Sequence, residues 1–279
     1  MLTIREKLFK AKELIKQKSL EENVGFLIME EVQNFKSRTE LLLNLDKEMT
    51  NEELFDSYLM EYLLGKPIQY VLKKAWFLNN IFYVDNRVLI PRMETEEVVQ
   101  AVLGVAKNMK SPLIYDVCTG SGCIALTLGL SLKDAKIIGS DISLDALDVA
   151  NINRTALNVE NVKFIHSDMF IKYPYVQADI IVSNPPYVDK KEKLEHMVLH
   201  YEPNNALFPP SGNGLEFYQR FFIVLPSYLK DGGYFIAEFG TNQKEGIEKM
   251  ALSLLPNSKI EFYKDISNKY RYFILQYFV

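Results

Sequence analysis

Apolar positions in the first part of the chain follow the spacing of helices. Ile4, Leu8 and Ala11 recur every three or four residues, and comparable runs continue to residues 65–67, where glycine and proline interrupt them. Helices with this spacing bury one apolar face and leave their charged residues in water. The pattern predicts a small all-helical N-terminal domain over residues 1–72, which either caps the protein or docks a partner protein.

A different pattern begins near Ser111, where short apolar runs alternate with helical segments. This alternation is typical of a mostly parallel sheet covered by helices on both faces. The predicted strands are residues 113–117, 136–140, 162–166, 179–183, 234–239, 260–264 and 272–277. The predicted helices are residues 122–131, 143–157, 214–229 and 243–255. We therefore predict an α/β fold, with a seven-stranded, mostly parallel sheet in a domain over residues 93–279.

Residues 73–92 form the predicted connection between the two regions. Two short apolar stretches, residues 76–77 and 81–84, are separated by two asparagines, which is typical of a β-hairpin. The next apolar run ends at Pro91, because proline cannot continue the strand. We expect a bridging hairpin here, followed by a helix.

The composition narrows the classes of function that fit this chain. Its 279 residues carry a formal net charge of −4, so the overall balance does not indicate direct binding to nucleic acid. No apolar run reaches membrane-spanning length, and the charged N-terminus predicts no signal peptide. Cys118 and Cys123 are too few for a disulfide framework and fit free thiols in a reducing compartment. We expect a cytoplasmic protein without membrane contact.

Two common catalytic arrangements are missing from the sequence. The chain has three histidines and no H-E-x-x-H motif, so we predict no metal site. It also lacks the G-x-S-x-G turn on which many Ser-His-Asp hydrolases place their nucleophile. Hydrolysis by a metal or by a serine nucleophile is therefore not indicated.

The most informative motif is Asn184-Pro185-Pro186-Tyr187, which follows the predicted strand 179–183. Two prolines cannot continue a sheet, so the backbone must leave it at the carboxyl end of the strand, the edge at which ligands bind in open α/β sheets. The Asn184 oxygen and a proline carbonyl can accept the two hydrogens of a planar, uncharged NH2 group, and the Tyr187 ring can cover its face. An ordinary strand-ending turn is the alternative.

A glycine-rich turn follows the first strand of the α/β region. Residues 116–122, with the sequence D-V-C-T-G-S-G, contain two glycines that let a ligand approach the main-chain amides. The turn lacks the third glycine of the dinucleotide motif and the Lys-Ser/Thr ending of a phosphate loop. We predict a loop for an adenosine cofactor without a pyrophosphate, and a plain strand-to-helix turn is the alternative.

Carboxylates follow the next two strands. Asp141 could accept hydrogen bonds from the hydroxyls of a bound ribose, or it could cap the helix that begins near Ser143. Asp168 could accept from an adenine amine while Met169 packs on the ring; a loop aspartate and a core methionine are the alternative. Because these strand ends meet at one edge of the sheet, we expect all three side chains to lie beside Asn184.

These motifs together resemble those of the class I S-adenosylmethionine-dependent methyltransferases, whose sheet is Rossmann-like. They are most similar to the protein-(glutamine-N5) methyltransferases that modify peptide chain release factors. The resemblance covers nearly the whole chain and is carried by residues 65–70, 90–96, 141–147, 184–188, 202–207, 214–218 and 264–271. The stretch Pro91-Arg92-Met93-Glu94-Thr95 is the part most specific to the release-factor branch.

The resemblance implies S-adenosylmethionine as the cofactor and a release factor as the protein partner. The expected cofactor-binding residues are Cys118, Thr119, Gly120, Ser121, Gly122, Asp141, Asp168, Met169 and Asn184. Asn184, Pro185, Pro186 and Tyr187 would bind the substrate glutamine, with Asn184, Pro185 and Tyr187 as the catalytic residues. The family usually has glycine where this chain has Cys118, and some relatives have a larger aromatic residue at Met169. We expect a monomer.

The expected reaction is in-line transfer of the sulfonium methyl group to a glutamine side-chain nitrogen. The Asn184 oxygen and the Pro185 carbonyl would orient the NH2 group and favour the positive charge that develops on nitrogen. Glu202 and Glu238 are expected to support the loop after Tyr187 rather than to act in catalysis.

Three rival functions remain open at this stage. A DNA adenine-N6 methyltransferase would also act on a planar NH2 group, after base flipping, although the acidic chain argues against DNA. A ribosomal-protein glutamine N5-methyltransferase would use the same chemistry. A non-catalytic binding module could keep the fold without the activity.

Overall fold

The computed structural model describes residues 2–191, 196–210 and 214–279. Tertiary contacts divide the chain into two units, Met1–Lys74 and Ala75–Val279. Within the described residues, no helix is long and apolar enough to cross a membrane.

The described part of the first unit is built from helices. They are α1 (Ile4–Gln17), α2 (Val24–Val32), α3 (Arg38–Leu43), α4 (Glu52–Leu63) and α5 (Ile68–Leu72). Helix α1 begins after Thr3 because the Thr3 hydroxyl accepts from the Glu6 amide while the Glu6 carboxylate accepts from the Thr3 amide. The predicted apolar positions Ile4, Leu8 and Ala11 are buried in the core of this unit. The predicted all-helical N-terminal fold is confirmed.

The second unit contains the strands and the remaining helices. In chain order its elements are β1 (Ala75–Phe77), β2 (Asn80–Phe82), α6 (Met93–Ala106), β3 (Leu113–Val117), α7 (Cys123–Ser131), β4 (Lys136–Asp141), α8 (Leu144–Ala156), β5 (Val162–His166), β6 (Ala178–Ser183), α9 (His196–Tyr201), α10 (Asn204–Leu207), α11 (Glu216–Tyr228), β7 (Leu229–Glu238), a 3-10 helix (Thr241–Gln243), α12 (Lys244–Leu254), β8 (Lys259–Lys264) and β9 (Tyr270–Gln276). The four predicted helices lie close to their expected bounds. Strand β7 begins at Leu229 instead of Tyr234, because Leu229 pairs with Ala178 before an irregularity in the register.

Seven of these strands form one sheet in the order β5-β4-β3-β6-β7-β9-β8. The first five are parallel, and β9 runs antiparallel to both β7 and β8. The predicted seven-stranded, mostly parallel sheet is therefore confirmed. Strand β3 pairs with β4 on one side and with β6 on the other, so the strand order reverses at β3. A reversal of this kind opens a crevice at the carboxyl ends of the strands.

Alternate residues of the central strands enter two separate hydrophobic clusters. Tyr115 and Ile181 belong to the cluster that includes residues of α11 and α12, whereas Ile114 and Ile180 belong to the cluster that includes residues of α6 and α7. Each buried side chain of this size contributes about 1.5–3 kcal/mol to folding. The hairpin β1–β2 contributes its two phenylalanines, Phe77 and Phe82, to the second of these clusters. Both faces of the sheet are thus covered, and the carboxyl ends of its strands are the part of the sheet where a ligand can bind.

The turn after β3 has a left-handed backbone at three positions. Gly120 and Gly122 have φ of +53° and +80°, and Cys118 has φ of +64°. A Cβ on Gly122 would lie 2.9 Å from the Phe164 ring, so glycine is required there for space as well as for conformation. A residue with a Cβ pays roughly 1–2 kcal/mol for the left-handed region, and Cys118 carries that strain.

Asp116 is buried beneath this turn. Its Oδ2 accepts from the Thr119 hydroxyl at 2.5 Å and from the Ala125 amide at 3.2 Å, which joins the end of β3 to the start of α7. Its Oδ1 has no hydrogen-bond partner within the part of the chain that the structure describes. Burial raises the pKa of Asp116 to about 7, although the two hydrogen bonds oppose the rise.

Asn153 of α8 connects the same turn to the segment after the hairpin. Its Nδ2 donates to the carbonyls of Ser121 and Tyr83 at 2.9 and 3.0 Å, and its Oδ1 accepts from the Tyr83 amide at 2.6 Å. Asn153 is only 1% exposed, so these bonds are shielded from water. The glycine-rich turn is therefore fixed by hydrogen bonds to two buried side chains, Asp116 and Asn153.

Two substitutions at Cys118 test the strain in the turn. Glycine adopts positive φ freely, so Cys118→Gly should change the free energy of unfolding by less than about 1 kcal/mol, with strain relief offset by unfolded-state entropy. A β-branched residue is an outlier at this φ, so Cys118→Val should lower that free energy by about 2 kcal/mol or more. Urea unfolding measures both changes. Cys123→Val, at the start of α7, is the matched control, and equal losses in the two valine variants would contradict the backbone explanation.

The raised pKa of Asp116 predicts a pH dependence of stability. Between pH 3.8 and about 7 the folded state keeps this carboxyl protonated while the unfolded chain ionises it, so stability present below pH 3.8 is lost as pH rises to about 7. Asp116→Asn should remove this loss. Its free energy of unfolding relative to the wild type should rise between these pH values and then level off.

Chemical denaturation of the cofactor-free protein at a series of pH values measures the effect. Asp148→Asn, at an exposed position of α8, corrects for the change in net charge. Parallel stability curves for the wild type and Asp116→Asn would show that Asp116 does not cause the dependence.

Candidate active site

The carboxyl ends of β3, β4, β5 and β6 border one cavity of about 800 Å³. Ligand pockets typically measure about 300–1,000 Å³, so the cavity has room for a cofactor-sized molecule. The predicted site residues that line it are Cys118, Thr119, Gly120, Ser121, Asp141, Asp168, Met169, Asn184 and Pro186. Among the described residues the lining does not include Gly122, Pro185 or Tyr187.

Asp141 is held by main-chain amides on both sides. Its Oδ2 accepts from Gly120 and its Oδ1 accepts from Ser143, each at 2.9 Å. Burial raises the pKa of Asp141, and the hydrogen bonds from these amides oppose the rise. The N-cap of α8 is Ser143, whose hydroxyl accepts from the Ala146 amide, so the alternative that Asp141 caps this helix is wrong. Each carboxylate oxygen keeps a lone pair for a ligand.

Asp168 lies beside a cation that no sequence motif indicated. Arg220 of α11 donates to Asp168 Oδ1 at 2.6 Å, and both side chains line the cavity. Met169 is 6% exposed and has φ of +44°, with its carbonyl accepting from the Ser167 hydroxyl at 2.8 Å. Arg220 occurs in an ordinary amphipathic helix, and its contact joins residues remote in sequence.

A chain of hydrogen bonds connects the tetrapeptide to α6 and β7. Asn184 Nδ2 donates to Thr95 Oγ1 at 3.1 Å, and Thr95 Oγ1 donates to Glu238 Oε2 at 2.6 Å. The other oxygen of Glu238 accepts from the Tyr187 hydroxyl at 3.0 Å. Thr95 and Glu238 are 2% and 1% exposed, so the chain is shielded from water.

Burial and hydrogen bonding shift the pKa values of the two titratable groups in this series of hydrogen bonds. Burial raises the pKa of Glu238, while hydrogen bonds from Thr95 and Tyr187 favour its ionised form. Burial also raises the pKa of Tyr187, and the negative charge of Glu238 adds to that rise. The Tyr187 hydroxyl therefore stays protonated and acts as a donor.

A second buried carboxylate, Glu202, holds the segment at Pro91-Arg92. Arg92 donates to Glu202 Oε1 at 2.5 Å, and the Ile90 amide donates to Oε2 at 3.3 Å. Glu202 lies in the connection that follows the tetrapeptide and is 5% exposed. Glu202 thus accepts from Arg92 and Ile90, and Glu238 accepts from Thr95 and Tyr187. That both residues support the loop after Tyr187 rather than act in catalysis stays a prediction.

No metal centre is found in the described ranges 2–191, 196–210 and 214–279. These residues contain no group of three or more His, Cys, Asp or Glu side chains that could hold a metal ion. Cys118 and Cys123 are free thiols.

Comparison with known proteins identifies the fold. The family described as Methyltransferase small domain matches residues 96–206. A methyltransferase from Pyrococcus furiosus has a TM-score of 0.52 at 14% identity, covering 80% of this chain and 98% of that one. The 16S rRNA N2 G1207 methyltransferase from T. thermophilus has a TM-score of 0.53 at 15% identity, covering 74% and 50%. The class I methyltransferase fold is confirmed.

Sequence relatives extend this result over nearly the whole chain. The release factor glutamine methyltransferase of Bacillus subtilis is 35% identical over 283 residues, which cover 97% of this chain and 96% of that protein. The Staphylococcus aureus protein of the same name is 33% identical, covering 96% of both chains, and that of Chlorobaculum tepidum is 41% identical, covering 70% and 71%. Identity at this level over most of both chains shows common membership, and this chain therefore belongs to the family of release factor glutamine methyltransferases.

Proposed function

We propose that this protein transfers the methyl group of S-adenosylmethionine to the side-chain nitrogen N5 of a glutamine in a peptide chain release factor. The observation that best supports this function is that Asp141 and Asn184, at the ends of the two strands that flank β3, line one cavity. Full-length relatives that are named release factor glutamine methyltransferases support the choice of substrate.

The donors and acceptors around the cavity fit an adenosine cofactor. Asp141 has lone pairs for the ribose hydroxyls, and the left-handed turn at Cys118 and Gly120 brings main-chain groups to the cavity. Met169 offers an apolar surface for the base, while Asp168 can accept from an adenine amine beside its bond to Arg220. Bound S-adenosylmethionine supplies an electrophilic methyl group; the contacts of Thr119, Ser121 and Gly122 with it remain predictions.

Asn184 and Pro185 would orient the glutamine amide. An amide nitrogen is a poor nucleophile, because its lone pair is delocalised into the carbonyl. The Asn184 oxygen and the Pro185 carbonyl can each accept one of its hydrogens and favour the developing positive charge. The Tyr187 hydroxyl donates a hydrogen bond to Glu238, which supports an anchoring role for Tyr187. Coverage of the substrate amide by the Tyr187 ring, and contact with Pro186, remain predictions.

The proposal includes the setting in which the enzyme acts. A substrate of the translation machinery fits the expected cytoplasmic location, and the net charge of −4 supports action on a protein without direct binding to nucleic acid. We propose a monomer without membrane contact. The function of the first unit would be to dock the release factor.

A single labelling experiment separates the candidate substrates. The protein is incubated with methyl-labelled S-adenosylmethionine and with a release factor, ribosomal proteins or adenine-containing DNA. We expect label in the release factor, located on one glutamine by mass spectrometry. Transfer to ribosomal protein or DNA without transfer to the release factor would favour a rival.

Substitutions at Asn184 and Asp141 should separate catalysis from cofactor binding. Asn184→Ala should lower kcat about 100-fold or more, because it removes an acceptor that stabilises the transition state. It should weaken the Kd of S-adenosylmethionine far less than Asp141→Ala does, because the predicted contact of Asn184 with the cofactor is made by an uncharged side chain. Asp141→Ala should weaken that Kd about tenfold or more, because it removes charged acceptors for the ribose.

Turnover assays and titration calorimetry provide the two measurements. Asp145→Ala, an exposed position in the first turn of α8, is the matched control for Asp141. Near-normal methylation by Asn184→Ala would contradict the catalytic assignment, and unchanged cofactor affinity in Asp141→Ala would contradict the ribose contact.

Removal of residues 1–74 tests the docking role of the first unit. The truncated protein should lose about tenfold or more in kcat/KM for the intact release factor, because docking contacts contribute to binding that substrate. Its kcat/KM for a short glutamine peptide should change far less. Circular dichroism checks that the second unit folds, and equal losses on both substrates by a folded protein would argue against docking.

A further inference from the structure

The hydrogen bonds between Glu238, Thr95 and Asn184 have a fixed direction. A threonine hydroxyl has one hydrogen, and Thr95 gives it to Glu238 Oε2 at 2.6 Å. Towards Asn184 the same oxygen can therefore only accept. The amide of Asn184 must turn its NH2 group to Thr95, in agreement with the 3.1 Å bond from Nδ2.

Glu238 is placed to impose this direction. Two hydroxyl groups, from Thr95 and Tyr187, donate to its two oxygens, an arrangement that suits an ionised carboxylate. Its main-chain carbonyl also accepts from the Tyr218 hydroxyl at 2.7 Å, which fixes the end of β7. Because Glu238 accepts on both sides, Thr95 keeps an acceptor for Asn184.

Asn184 is left with its carbonyl oxygen for a ligand. The side chain lines the cavity while its NH2 group is engaged at Thr95. We propose that Glu238 and Thr95 are positioning residues that lock the Asn184 amide, so that the site presents an acceptor and selects a side-chain amide over a carboxylate. This inference rests on the proposed function, in which Asn184 binds the substrate glutamine.

The selectivity follows from matching donors to acceptors. A glutamine side chain offers an NH2 group to the Asn184 oxygen, whereas a glutamate side chain offers only acceptors and meets that oxygen with repulsion. Sites built to hydrogen-bond a substrate group reject an analogue that lacks it far better than apolar pockets do. A free Asn184 amide could rotate its NH2 group towards a carboxylate and would lose this discrimination.

The test compares two forms of the release factor, the natural protein and a variant with glutamate in place of the methylated glutamine. Their dissociation constants are measured by calorimetry with the enzyme saturated with S-adenosylhomocysteine, so turnover is not needed. The wild type should bind the glutamate form about tenfold more weakly or worse. Thr95→Val should reduce this ratio to about threefold or less and lower kcat about tenfold, because the lock is lost.

Rescue and control variants distinguish positioning from packing. Thr95→Ser keeps the hydroxyl and should retain the wild-type ratio. Thr127→Val makes the same substitution at a buried threonine of α7, whose hydroxyl has no hydrogen-bond partner among the described residues, and should leave the ratio unchanged. Glu238→Gln supplies a second route, since a glutamine NH2 group can donate to Thr95 and free its hydroxyl to turn towards Asn184; this variant should also lower the ratio.

The inference is overturned if the wild type does not discriminate between the two forms. An unchanged ratio in Thr95→Val would also overturn it. If Thr95→Val does not fold, an unchanged ratio in Glu238→Gln would overturn it. Failure of the wild type to methylate the release factor would instead contradict the proposed function, because the binding ratio is measured without methyl transfer.

Discussion

The parallel pairing of β3 with β4 on one side and with β6 on the other is the constraint on which the site depends. The register places Val117 beside both Ser140 and Ser183, so the turns that follow these strands begin at the same level of the sheet. Asp141 and Asn184 meet at one cavity for that reason, although they are far apart in the chain. A slip in either register would separate the groups that we propose bind the cofactor and the substrate amide.

Buried carboxylates then convert these strand ends into fixed loops. Asp116 holds the turn after β3 through Thr119, and Glu238 holds the tetrapeptide through Tyr187. Glu202 holds the segment before α6 through Arg92. A buried carboxyl group is unfavourable unless it is hydrogen-bonded, whether it is protonated or ionised, so each of these groups specifies the position of its donors. The site is therefore rigid at its base, a property that catalysis by orientation requires.

Periodicity predicted much of the fold but few of its contacts. The apolar spacing located α7, α8, α11 and α12, because each buries one face, whereas the start of β7 at Leu229 depends on pairing with Ala178 and has no local signal. The motifs located Asp141 and Asn184 by their positions after strands. Thr95, Arg92 and Arg220 act across elements, and a single sequence does not reveal which remote partner a side chain meets. Cys118 itself gives no local signal of its left-handed backbone, but the glycine that the family usually has at this position is in agreement with it.

Cys118 also places a thiol in the cavity that we propose binds the methyl donor. A thiolate is a far stronger nucleophile than an amide nitrogen, and in this cavity it would compete with the substrate for the methyl group. Burial raises the pKa of the Cys118 thiol well above its ordinary value, and Asp141 and Asp116 raise it further when they are ionised. This shift favours the neutral thiol, which is a weaker nucleophile than the thiolate. The carboxyl groups that shape the turn after β3 thus also favour the protonated form of its thiol.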